Sequence, residues 1–119
     1  MNIASNPKSL PADSILSPET NKAAALAAAS GVLTVDLDAL VANWRKLEKT
    51  AVPAECSAVV KANAYGCGIE PVAQALAKAG CKTFFVATLD EAAAVRAAVS
   101  SAALYVLNGF IQNTGDAYA

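Results

Sequence analysis

Histidine is missing altogether from these 119 residues, and there are only three cysteines, Cys56, Cys67 and Cys81. With no histidine and no closely spaced cysteine pair, the sequence has no zinc-ligand pattern, and no metal site is expected. An odd, scattered set of thiols builds no disulfide framework either, and it fits a reducing cytoplasm. Charge is sparse and balanced: 16% of residues are charged and the formal net charge is -1. A nucleic acid would find no basic footprint here. No apolar run approaches the roughly 18 residues that a membrane-spanning helix requires. The stretch "AAALAAAS" at 23–30 has some likeness to the apolar part of a secretory leader. It follows Asp13 and Glu19 with no basic cluster, so no leader is expected.

What the chain does have is apolar bulk. Hydrophobic residues make up 55% of it, too many for a disordered protein and enough for one domain at most. Residues 1–31 differ from the rest: Pro7, Pro11 and Pro18 are interleaved with Ser and Asn, which predicts a flexible extension. A short Ala-rich helix over 21–29, stopped by Gly31, fits within it. Val32 to Val35 reads as a short strand. Asp36 or Asp38 then caps a helix whose apolar residues Leu37, Leu40, Val41, Trp44 and Leu47 recur on one face. Trp44 is expected in the core.

Strands alternate with helices from there on. The first strand is expected at 57–61, followed by a helix from about Glu70, with Pro71 in its first turn and Gly80 as its stop. "TFFVA" at 83–87 is the second strand, and "TLDE" at 88–91 fits a capping box between Thr88 and Glu91. Ala92, Val95, Arg96 and Val99 share a face of the helix it opens. "LYVLN" at 104–108 is the third strand. This order predicts a parallel βαβαβ sheet, and unalternating runs such as "FFVA" suit strands covered on both faces. Both a doubly wound sheet and a (β/α)8 barrel begin this way. No GxGxxG follows a strand, so the nucleotide-binding version has no support.

The residue that calls for explanation is Lys61, which closes the apolar run "AVVK" at 58–61. Side chains alternate along a strand, so Lys61 shares a face with Val59, while Ala58 and Val60 take the other. Under outer helices, Ala58 and Val60 would be covered. Lys61 would then point to the inside at the C-terminal end of its strand, where barrel enzymes place reactive groups. A desolvated lysine is a nucleophile and Schiff-base former; a lysine snorkelling to water at a strand end is merely solvated. Position alone leaves both readings open.

"AVVKANAYGCG" at 58–68 resembles the cofactor-lysine motif of the alanine racemases, pyridoxal-phosphate enzymes in which it is usually written KANAYGHG. The resemblance continues through "LTVDLDALVANWRKL" upstream and "FFVATLDEAAAVRAA" and "LYVLNG" downstream, and so covers about residues 32–110. It implies an α/β fold: the N-terminal part of a (β/α)8 TIM-type barrel, incomplete in this chain, with residues 1–31 as extension and 32–119 as the partial barrel domain. Lys61 would hold pyridoxal 5'-phosphate as an internal aldimine and act as the base on one face of the substrate α-carbon. Tyr65 would donate its hydroxyl to the cofactor phosphate. The activity implied is interconversion of L- and D-alanine, supplying D-alanine for peptidoglycan, in a cytoplasmic homodimer.

Two departures from the family pattern stand out. Cys67 occupies the position usually held by histidine, which changes the hydrogen bonding after Tyr65 and places a thiol near an electrophilic cofactor. Length is the larger one, because a closed barrel takes eight strands and about 250 residues. The family's second base, its arginine facing the pyridine nitrogen and most of its phosphate cup come later than residue 119. The chain therefore reads as the front of a racemase. A pyridoxal-phosphate barrel protein without racemase activity and an inactive fragment are the alternatives. Alone, the chain is expected not to racemise alanine and to self-associate through its open strand edges.

Overall fold

The computed structural model describes residues 18–109, and these fall into two units that divide between Thr34 and Val35. Residues 1–17 of the extension predicted over 1–31, and the chain beyond Gly109, lie outside the described residues. In the first unit, α1 spans Pro18–Ala28, close to the Ala-rich helix expected at 21–29. The strand expected at Val32 to Val35 does not form. Residues 31–36 are irregular, and Val32 and Leu33 are exposed. An apolar run becomes a strand only with a neighbour to share its hydrogen bonds, and no ladder among the described residues includes this one.

The second unit opens with α2 (Leu37–Ala51), capped by Asp36, whose carboxylate accepts from the Ala39 amide at 2.9 Å. Then come β1 (Ala58–Val59), α3 (Lys61–Tyr65), α4 (Ile69–Ala79), β2 (Thr83–Val86), α5 (Leu89–Ala98) and β3 (Ala103–Val106). The three strands form one parallel sheet in the order β1-β2-β3. Its register aligns Ala58 with Phe84 and Leu104, and Val59 with Phe85 and Tyr105. Each βα unit thus sets its strand beside the next, as the alternating pattern requires.

Alternation along the strands sorts the two sheet faces. Ala58, Val60, Phe84 and Val86 are buried under the helices with Val72, Ala73 and Leu76 of α4 and Val95 of α5. Phe84 and Val86 have no exposed surface at all, and burying each such side chain stabilises by about 1.5–3 kcal/mol. Trp44 joins this core from α2, as its spacing predicted, whereas Leu47 one turn on is exposed. Gly80 ends α4 in the left-handed conformation at φ 114°, and the amides of Gly80 and Cys81 return to the carbonyls of Ala77 and Leu76. That reversal is cheap only for glycine. The opposite sheet face carries Val59, Phe85 and Tyr105, with the last two rings stacked at 5.0 Å. Val59 and Tyr105 are exposed, so this face has no helical cover among the described residues.

Candidate functional site

Lys61 follows directly on Val60, which is the residue after β1 and whose amide still donates to the Phe85 carbonyl at 2.9 Å. The strand is therefore shorter than the predicted 57–61, and Lys61 belongs to the turn that leaves it. It is half-buried, at the C-terminal end of the sheet. The backbone then does something that the sequence does not announce. Ala62, Asn63, Ala64 and Tyr65 all have positive φ, between 52° and 54°, so α3 is a left-handed helical turn. Left-handed residues normally occur singly, because the Cβ crowds the following carbonyl at about 1–2 kcal/mol per residue. With Asn63 excepted, the other three place about 3–6 kcal/mol of strain beside the lysine.

Hydrogen bonds hold that turn. The Ala64 amide donates to the Val60 carbonyl at 2.8 Å, and the Gly66 amide to the Ala62 and Asn63 carbonyls, each at 3.1 Å. Asn63, the one residue type here that tolerates this conformation well, also accepts from the Ile69 amide through Oδ1 at 2.9 Å. It thereby caps α4, whose own N-cap, Gly68, has no side chain to offer. Gly68 must be glycine: φ is 92°, and a Cβ there would meet Pro71 Cγ at 3.1 Å.

Glu91 supplies the remaining support. The Ala62 amide donates to its Oε1 at 2.7 Å, and the Ala87 amide to its Oε2 at 2.8 Å. The predicted capping box is present as well, with the Thr88 amide donating to Oε2 at 3.4 Å and the Glu91 amide to Thr88 Oγ1 at 3.3 Å. Partial burial pushes the Glu91 carboxyl up, but the amides of Ala87, Ala62, Thr88 and Asn63 outweigh it and hold the pKa below its ordinary 4.5.

The turn carries Tyr65 to its far end, where the side chain is exposed. Lys61 and Tyr65 are thus the first and last residues of one turn, the lysine half-buried and the tyrosine exposed. Cys67 is half-buried just beyond, its amide bonded to the Ala64 carbonyl at 3.1 Å. Among the described residues no cluster of potential metal ligands occurs, and no helix is long and apolar enough to cross a membrane. A shallow cavity of about 500 Å³ opens at the other end of the sheet, lined by Cys81, Lys82, Thr83, Ala102 and Ala103 among others. The thiol there, Cys81, is pushed up by burial and stays protonated and inert.

Residues 35–119 match the family described as "Alanine racemase, N-terminal domain". The chain belongs to that family. An alanine racemase from Methylobacterium nodulans is 60% identical over 86 residues, covering 72% of this chain and 23% of the relative. Alanine racemase 3 of Salmonella typhi is 50% identical over 86 residues, with the same coverage of 72% and 23%. Among solved structures, alanine racemase from Bartonella henselae with covalently bound pyridoxal phosphate superposes with a TM-score of 0.66 at 47% identity, covering 69% of this chain and 23% of that one. The chain thus spans about a quarter of the length of the relatives that it matches. Its open three-stranded sheet is part of the alanine racemase barrel domain, as the family resemblance implied; the order of strands and helices alone left a doubly wound sheet open as well.

Proposed function

We propose that this chain is the lysine-bearing part of an alanine racemase, with Lys61 attaching pyridoxal phosphate and Tyr65 binding the phosphate. The observation that carries this reading is the placement of Lys61. It is half-buried just past the C-terminal end of β1, and one left-handed turn separates it from Tyr65. The donor set fits the cofactor: a primary amine suits an aldehyde, and a phenolic hydroxyl donates well to a phosphate oxygen.

When bound, the cofactor supplies the electron sink that makes an α-proton acidic. This chain's part is to hold it and to move that proton at Lys61 Nζ on one face of the α-carbon. Racemisation exchanges the proton on both faces, so the second acid–base group comes from outside the described residues. The alanine substrate is part of this same proposal, supported by relatives named alanine racemase. The homodimer and the role in D-alanine supply are proposed with it on the family resemblance alone. Free cysteines at 56, 67 and 81 support a cytoplasmic site.

The test is to express the complete gene product that carries this chain, add pyridoxal phosphate, reduce with borohydride and map the labelled peptide. Attachment at Lys61, its loss in Lys61→Ala and conversion of L- to D-alanine are expected. Label on another lysine would refute the assignment. A pyridoxal-phosphate protein without racemase activity would label Lys61 yet leave alanine unchanged.

A further inference from the structure

The Glu91 carboxylate is more than the closing half of a capping box. In such a box the glutamate serves the amide of the capping residue. Here that bond, from Thr88, is the longest of the three at 3.4 Å, while the short ones go elsewhere. Oε1 takes the Ala62 amide, the residue after Lys61 at the exit of β1. Oε2 takes the Ala87 amide at the exit of β2. One side chain therefore ties together the C-terminal ends of two neighbouring strands, and it grips the first left-handed residue of the lysine turn.

We propose that Glu91 is the positioning residue for Lys61, fixing through the Ala62 amide the direction in which the lysine leaves the sheet. This rests on the assignment of Lys61 as the cofactor lysine. Three features support it. Ala62 is exposed, so no packing locks its peptide in place. Its conformation, φ 52° and ψ 49°, is one that alanine avoids, so a strong partner must select it. An ionised acceptor provides that, because a charge-assisted bond is about twice as strong as a neutral one. Both oxygens are engaged, so no neutral isostere can replace the carboxylate. Glutamine would keep one acceptor and turn an NH2 donor toward the other amide.

Two variants of the complete gene product separate positioning from capping. Thr88→Ala breaks the capping box but leaves the carboxylate intact, whereas Glu91→Gln keeps the size and removes one strand-end contact. Amide hydrogen exchange, read at Ala62 without cofactor, should accelerate about tenfold or more in Glu91→Gln and stay within about twofold in Thr88→Ala. Borohydride-fixed label on Lys61, at limiting pyridoxal phosphate, should fall in the same order. Glu91→Asp, which keeps the charge but shortens the reach, should not restore either readout. If Glu91→Gln and Thr88→Ala behave alike in both, Glu91 is only a helix cap and the proposal is overturned. If wild type takes no label on Lys61, the cofactor assignment fails, and exchange at Ala62 still decides whether Glu91 sets the turn.

Discussion

Replacing Ala62 by glycine should make the protein more stable, which is the reverse of what the same change does in an ordinary helix. Ala62 is exposed, so removing its methyl group opens no cavity, and glycine keeps the amide that Glu91 receives. At φ 52° and ψ 49° the alanine Cβ costs about 1–2 kcal/mol, which glycine does not incur. Against this, glycine loosens the unfolded chain by about 0.4–1 kcal/mol. The difference is a net gain of about 0.8 kcal/mol between these limits. In a right-handed turn the same substitution would instead lose about 0.5–1 kcal/mol. The sign therefore reports the handedness of the turn. Urea unfolding of the complete gene product, wild type against Ala62→Gly, measures it, with Ala62→Val as the opposite control, since a β-branched residue should be distinctly worse there. A midpoint lowered by glycine would refute the left-handed turn as the conformation that positions Lys61.

Tyr65→Phe removes the hydroxyl assigned to the cofactor phosphate. The loss of one charge-assisted bond, about 1.5–3 kcal/mol, should weaken cofactor binding roughly 10- to 150-fold, as measured by equilibrium dialysis. Unchanged retention would leave Tyr65 as an exposed loop aromatic. Acid should release the Glu91 clamp. Because its folded pKa lies below the ordinary 4.5, the carboxylate stabilises fully above that value, and the contribution fades as pH falls through the folded pKa. The stability gap between wild type and Glu91→Gln should therefore be constant near neutral pH and narrow below about pH 4.5. A gap that widened in acid would contradict the hydrogen-bonded carboxylate.

Much of the architecture was legible because local signals and packing agreed. The Thr88–Glu91 box, the Asp36 or Asp38 alternative and the shared face of Ala58 and Val60 all follow from spacing, and the structure chooses Asp36. The run "FFVA", expected to be covered on both faces, buries only Phe84 and Val86 fully, because the described residues supply helices to one face alone. Val32 to Val35 misled for the complementary reason: an apolar run gives no information about whether a partner strand is there to receive it. The motif singled out Lys61 as the candidate, but the form of its turn was not legible. Alanine is the strongest right-handed helix former, so "KANAY" gives a propensity opposed to the observed handedness, with Asn63 alone as a hint. Nor could spacing reveal that Glu91 reaches back to Ala62. The capping box accounted for that residue completely at the level of sequence, and only the sheet brings the two strand ends together.

The amide beside the lysine is received by a side chain 29 residues further along. At a synthesis rate of about 5–20 residues per second, roughly 1.5–6 s separate the two on the ribosome. Throughout that interval a nascent chain carries its amine on a segment whose own preference is the opposite hand. The second helical unit must dock before the first acquires its final shape. If Lys61 is the cofactor lysine proposed above, its competence to receive an aldehyde would then arrive in step with the pairing of β1 and β2, and a chain stalled between Lys61 and Glu91 would present an ordinary lysine.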